Sequence, residues 1–223
     1  MAVLVKICGI TNLGDALAAM GAGADFLGFV LVPGSPRQVT CGQAAAIIRE
    51  IRAPVTGDRS VPPRLVGVFQ NATATEILAA VEVCGFDVVQ LHGDEPDDLV
   101  QRFGQERVWK MLPVRTAQEV ARAAAHPASA VLADAVRGAR RGGTGAVCDW
   151  DLAAAVARQR RLVLAGGLTP ANVAAAVAQV QPWAVDVGSG VEAAKGQKDH
   201  AKIQALIQAV RRVAFKTAAG IQQ

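Results

Sequence analysis

Val3-Leu4-Val5-Lys6-Ile7-Cys8-Gly9-Ile10-Thr11 is an apolar run that ends in a thiol and a glycine shortly before a hydroxyl residue. Val3, Leu4, Val5 and Ile7 predict a short buried strand. Thr11 followed by Leu13, Ala16, Leu17 and Met20 predicts a capped amphipathic helix. A strand leading straight into a helix is the unit of a parallel α/β fold. Cys8 then lies at the carboxyl end of the first strand, the edge on which such folds build their chemistry. A small buried hydrophobe fits the same position, because free cysteine is among the most buried residue types, so the rest of the chain has to decide.

The same unit recurs. Short apolar runs lie at 4–7, 26–30, 65–69, 88–91, 108–111, 130–133, 162–165 and 184–187, with helical periodicity between most of them. Thr40 with Gln43, Thr73 with Glu76 and Thr116 with Glu119 have capping-box spacing, and Thr169-Pro170 places a cap ahead of a proline. Ile203, Leu206, Ile207, Val210 and Val213 form one stripe on a last helix that Asp199 is placed to cap, with His200 read as part of that cap. Eight strand-helix units in 223 residues predict a single-domain (β/α)8 TIM barrel over residues 1–215, with 216–223 as a tail. A doubly wound open sheet is the alternative. Residues 53–64, rich in Pro, Gly and charge, read as a helix-to-strand loop on the barrel face away from the chemistry.

Hydrophobic residues at 52% and charged residues at 19% fit a folded chain with a substantial core and exclude bulk disorder. With 23 Lys and Arg against 19 Asp and Glu, the excess of positive charge is small and unclustered apart from residues 137–141, which favours a small anionic ligand over nucleic acid. No stretch is long enough to span a bilayer, and with no leader-like opening segment a cytoplasmic protein is expected. Cys8, Cys41, Cys84 and Cys148 are widely spread, without a Cys-x-x-Cys pair, and read as free thiols rather than disulfides or metal ligands.

Two glycine-rich turns close the pattern, Gly166-Gly167-Leu168 after the seventh run and Gly188-Ser189-Gly190 after the eighth. Adjacent turns of this kind leave backbone N–H groups unobstructed, and barrels often bind phosphate there, so Gly166, Gly167, Gly188 and Ser189 are the expected phosphate site.

These residues, with Ser35-Pro36-Arg37, Gln90-Leu91-His92-Gly93, Gly142-Gly143-Thr144-Gly145, Asp149-Trp150 and Lys198-Asp199-His200, give the chain its likeness to a known family. It resembles phosphoribosylanthranilate isomerase of tryptophan biosynthesis. The resemblance implies an Amadori rearrangement of N-(5′-phosphoribosyl)anthranilate without metal or organic cofactor. Apolar residues on the outer helix faces fit core or interface alike, which leaves a monomer and a homodimer both open. It implies Cys8 as general base, Asp134 as general acid and Arg37 as partner of the anthranilate carboxylate.

The chemistry needs such groups. Opening the furanose requires a proton on the ring oxygen, and a base must then take the proton from C2 of the resulting iminium. A helix start or nearby positive charge lowers a thiol pKa, and Lys6 and Arg37 are the candidate sources of that charge. The planar fork of Arg37 suits two-point contact with a carboxylate. His92 reads as a hydrogen-bonded structural residue, with no proton-transfer role assigned. Gly142, Gly143, Thr144 and Gly145 read as a glycine-hinged loop closing over substrate. Gly188 departs from the family by standing where serine is common, and Cys148 by replacing an aromatic. Two rivals remain. The sister aminoaldose isomerase of histidine biosynthesis typically uses two carboxylates and grips two phosphates. A non-catalytic sugar-phosphate-binding barrel would need neither acid nor base.

Overall fold

The computed structural model describes residues 2–52, 62–134, 136–137, 140–141 and 148–219. Eight parallel strands close into a ring: β1 (Leu4–Cys8), β2 (Phe26–Val30), β3 (Arg64–Phe69), β4 (Val88–Leu91), β5 (Val108–Met111), β6 (Ala130–Ala133), β9 (Leu162–Leu164) and β10 (Ala184–Val187). β1 pairs with β2 on one side and β10 on the other, with Lys6 opposite both Phe26 and Asp186. Two short hairpins stand outside the ring, β7 (Val136–Arg137) with β8 (Arg140–Arg141), and β11 (Glu192–Ala194) with β12 (Gln197–Lys198).

The strands are apolar almost throughout because both faces are buried. Period-two alternation splits them into two cores. Phe26, Val30, Val66, Val68, Val88, Trp109, Met111 and Leu132 fill the ring. Ile7, Leu27, Phe29, Leu65, Phe69, Leu91 and Leu164 face the other way, against helices α1 (Leu13–Ala22), α2 (Cys41–Arg52), α3 (Ala74–Cys84), α4 (Asp98–Phe103), α5 (Ala117–Ala125), α6 (Trp150–Ala157), α7 (Val173–Val180) and α8 (His200–Ala219). Trp109 meets Phe26 and Trp183 edge-on at centroid distances of 4.9 and 5.6 Å, so aromatic rings fill the amino end of the barrel and any cavity must open at the carboxyl end.

Most helix starts follow the predicted chemistry. Thr40 and Gln43 exchange side-chain bonds with each other's backbone N–H, as do Thr73 and Glu76. Thr116 caps Glu119 N at 3.2 Å, but the Glu119 carboxylate turns to Arg115 instead of reciprocating.

Three starts differ from expectation. Thr11 does not cap α1. Its hydroxyl donates to Gly196 O at 2.8 Å, and the neighbouring Asn12 caps by accepting from Asp15 N at 2.8 Å. α7 begins at Val173 rather than at Thr169-Pro170, because Asn172 Oδ1 captures Thr169 N at 2.7 Å and holds a turn ahead of the helix. Asp199 does cap α8 through Lys202 N, whereas His200 Nε2 pairs with Asp15 Oδ1 at 2.9 Å and ties α8 to α1. α8 continues to Ala219, through the first part of the segment read as a tail. Residues 53–61 of the predicted loop lie outside the described residues, and no helix among those described is long and apolar enough to cross a membrane.

Candidate active site

A cavity of about 610 Å³ opens at the carboxyl ends of the strands, within the size range of small-molecule sites. Cys8, Arg37, His92, Asp134, Gly166, Gly167, Gly188 and Ser189 all line it, so the predicted site residues converge on one volume. Gly142, Gly143, Thr144 and Gly145 lie outside the described residues. A depression of about 140 Å³ beside Pro62, Pro63 and Asp87 lies among the residues that lead into β3 and is too small for a phosphosugar carrying an aromatic ring.

Cys8 ends β1, half-buried. Lys6, two residues earlier on the same inward face, is fully buried, and its Nζ lies 2.9 Å from Asp186 Oδ2 across the β1–β10 seam. Gly28 on β2 makes room for both: a Cβ there would come within 2.9 Å of Cys8 Sγ and of Lys6 Cε, so the thiol and the lysine stem lie side by side over it. The expectation of a lowered thiol pKa is not met. Burial pushes the Cys8 thiol up from 9.0, and the pull of Lys6 and Lys198 in the other direction does not outweigh it. Burial also works against the Lys6 charge, but the Asp186 carboxylate and Cys8 overcome it and hold the ammonium above its ordinary 10.5.

Asp134 follows β6, three steps round the ring from β1, and its side chain is 8% exposed. His92 Nε2 stands 3.5 Å from Asp134 Oδ2, and Gln90 Nε2 stands 3.1 Å from His92 Nδ1. With the Gln90 amide nitrogen donating to Nδ1, the ring proton belongs on Nε2, facing Asp134. The loop that carries His92 is held by Glu95, which accepts from Gly93 N and Asn71 N and pairs with buried Lys110 at 2.6 Å. Cys148 also lies near Asp134. Burial, with the Asp134 charge adding to it, pushes its thiol up to about 12.

Arg37 sits on the loop after β2. Its Nε and Nη2 donate to Glu192 Oε1 and Oε2 at 2.6 and 2.8 Å, and Lys198 Nζ donates to Oε1 at 3.0 Å. These bonds raise the Arg37 pKa. Burial opposes the Glu192 charge, but Arg37 and Lys198 outweigh it and lower the Glu192 pKa.

The two glycine turns touch. A Cβ on Gly190 would lie 1.8 Å from Leu168 O, while Gly166 and Gly167 adopt φ of 83° and 63°, so the turns interlock only with glycine at those places. Asn172 Nδ2 donates to Gly167 O at 2.9 Å and braces the first turn.

The sequence alone assigns no role to Glu192, Lys198, Gln90 or Asp186. Gln90 and Asp186 carried a signal, as polar residues at inward positions of apolar strands. Each keeps one buried side-chain oxygen without a hydrogen-bond partner among the described residues, Gln90 Oε1 and Asp186 Oδ1. Both residues line the cavity, which leaves each unmatched oxygen open to a polar group of a ligand. Among the described residues no group of three His, Cys, Asp or Glu side chains is arranged to hold a metal ion.

The model of the family described as N-(5′phosphoribosyl)anthranilate (PRA) isomerase matches residues 5–209. The chain belongs to this family. Curated relatives named N-(5′-phosphoribosyl)anthranilate isomerase include those of Citrifermentans bemidjiense, 48% identical over 95% of this chain and 98% of the relative, and of Pelobacter propionicus, 46% identical over 92% and 94%. The solved phosphoribosyl anthranilate isomerase of Thermotoga maritima is similar with a TM-score of 0.83 and 37% identity, over 94% of this chain and 99% of that one. Another solved relative, 36% identical with a TM-score of 0.80 over 94% of this chain and 99% of that one, is described in complex with reduced 1-(o-carboxyphenylamino)-1-deoxyribulose 5-phosphate. The isomerase therefore shares the fold of its solved relatives.

Proposed function

We propose that the isomerase converts N-(5′-phosphoribosyl)anthranilate into 1-(2-carboxyphenylamino)-1-deoxyribulose 5-phosphate, with Cys8 as base and Asp134 as acid, in the cytoplasm and without a cofactor. The observation that carries this reading is that a thiol and a carboxyl group line one cavity with the paired glycine turns.

Asp134 gives a proton to the ring oxygen as the amine lone pair opens the furanose, leaving an iminium at C1 and a hydroxyl at C4. The Cys8 thiolate then removes the C2 proton, and the electron pair of that bond moves to neutralise the iminium as an enaminol. Protonation at C1 and loss of the C2 hydroxyl proton complete the ketone, so atoms and charge balance. A thiol with a raised pKa is a scarcer but stronger base at neutral pH, and the positive charge that develops on the substrate favours its ionised form. Arg37 takes the anthranilate carboxylate, and the N–H groups of Gly166, Gly167, Gly188 and Ser189 take the phosphate.

The reduced, purified enzyme should consume the phosphoribosylanthranilate, followed as loss of anthranilate-type fluorescence. Binding of the phosphosugar without turnover would replace this reading with that of a non-catalytic sugar-phosphate barrel.

A further inference from the structure

We propose that Glu192 is a positioning residue for substrate recognition, which aims one edge of the Arg37 guanidinium at the aromatic carboxylate. This rests on the reading of Arg37 as the carboxylate partner and concerns how that contact is made. A guanidinium offers two forked edges, the side-on pair Nε and Nη2 and the end-on pair Nη1 and Nη2. Glu192 occupies the side-on pair at 2.6 and 2.8 Å, and among the described residues no acceptor meets Nη1. The end-on edge is therefore what Arg37 has left for a second carboxylate, and the planar fork keeps that edge in the plane of the Glu192 carboxylate.

Three further features hold the device still. Glu192 Oε1 also accepts from Lys198 Nζ at 3.0 Å, so both carboxylate oxygens are bound. The Arg37 stem lies over Gly9, where any Cβ would come within 2.6 Å of Arg37 Cδ. β11, which starts at Glu192, belongs to the hairpin whose tip Thr11 holds through Gly196 O at 2.8 Å. Lys198 Nζ also donates to Gly188 O at 3.0 Å, so the support of the carboxylate anchor reaches the phosphate turn. Two cations against one anion leave a single surplus positive charge, which a substrate carboxylate neutralises. A lone Arg37 beside Lys198 would repel that neighbour and rotate freely about its long stem.

The test measures binding of two product analogues by calorimetry, reduced 1-(o-carboxyphenylamino)-1-deoxyribulose 5-phosphate and its phenylamino counterpart without the ring carboxylate. The wild-type enzyme should prefer the acid by about 10- to 100-fold, the range of one charge-assisted contact. Glu192→Gln replaces an acceptor with a donor facing the fork, and should cut that preference to within about threefold, as Arg37→Ala does, and raise KM more than it lowers kcat. Full preference retained in Glu192→Gln overturns the proposal. Should that variant fail to fold, Glu192→Asp serves: it keeps the charge but withdraws the carboxylate by one methylene, and an undiminished preference overturns the proposal equally. Absence of preference in the wild type fails the Arg37 reading instead, a distinct outcome.

Discussion

Lys6 Nζ lies 2.9 Å from Asp186 Oδ2, buried inside the barrel on the same inward face as Cys8. The two residues are 180 positions apart and meet only because the ring closes between β1 and β10. The pair places a positive charge beside the thiol and a negative charge just beyond it, and burial, with the Asp186 charge adding to it, outweighs the pull of Lys6 in setting the thiol's proton affinity. The raised pKa keeps the proposed base mostly protonated at neutral pH.

This arrangement makes the pH profile informative. Because the free-enzyme thiol titrates above its ordinary 9.0, kcat/KM should climb with pH on a limb lying above that value. Lys6→Met removes the largest influence that lowers the thiol pKa, so the limb should move further up. It also leaves Asp186 buried without its partner, at a cost of about 3–5 kcal/mol in stability. Alkylation of Cys8 by iodoacetamide, followed across pH by mass spectrometry, reads the thiol directly. A limb that shifts down in the variant contradicts this account.

Removing the proposed acid or base should spare binding. Cys8→Ala and Asp134→Asn should each lower kcat by about 10²–10⁴, the usual weight of one proton-transfer group, with KM changed by no more than about threefold. Steady-state kinetics decide it, and a variant that keeps wild-type kcat takes that residue out of the mechanism.

Gly9 tests the seat of Arg37 from below. Its φ of 78° is left-handed, and a methyl group there would press on Arg37 Cδ. Gly9→Ala should destabilise the fold by about 1–2 kcal/mol for the backbone alone and should raise KM more than it lowers kcat. A melting curve and steady-state kinetics measure the two effects separately.

The barrel was readable because parallel strands buried on both faces print as apolar runs, and the observed strands begin and end within one residue of the predicted runs. Helix starts were less certain where two capping residues compete. Thr11 and Asn12 can both cap, and the distant carbonyl of Gly196 draws the threonine away. The candidate site was readable as a set of strand-end residues, but not as a network. Period two places Lys6 and Asp186 inside the ring without saying that they face each other, and the Arg37–Glu192 fork joins residues 155 positions apart. The direction of the Cys8 shift escaped prediction because neighbouring charge is visible in a sequence, whereas depth of burial is not.

His126 gives the fold an acid sensitivity. Burial lowers its pKa below 6.5, and the pull of Asp97 in the other direction does not restore it. The unfolded chain therefore binds the proton more readily. The stability tied to a neutral His126 is fully present above about pH 6.5 and declines as pH falls through the lowered folded-state value. Melting temperature should drop between pH 7.5 and 5.5, and drop less in His126→Gln. An equal drop in both proteins assigns the sensitivity to other groups.

The contact between the two glycine turns bears most directly on phosphate binding. Gly190 has no room for a side chain because Leu168 O would lie 1.8 Å from its Cβ, far inside van der Waals contact with a backbone atom that cannot swing aside. Gly190→Ala must therefore part the turn of Gly166 and Gly167 from the turn of Gly188 and Ser189. The N–H groups proposed to share one phosphate lose that shared target when their turns separate by even an ångström. Inorganic phosphate as a competitive inhibitor should bind the variant at least about tenfold more weakly, roughly 1.4 kcal/mol. The rate of Cys8 alkylation should stay near the wild-type rate, since the thiol lies on another strand. Unchanged inhibition by phosphate in a folded variant would place the anion elsewhere in the cavity. A parallel loss of thiol reactivity would show that the substitution disturbs the barrel mouth as a whole rather than the anion cradle.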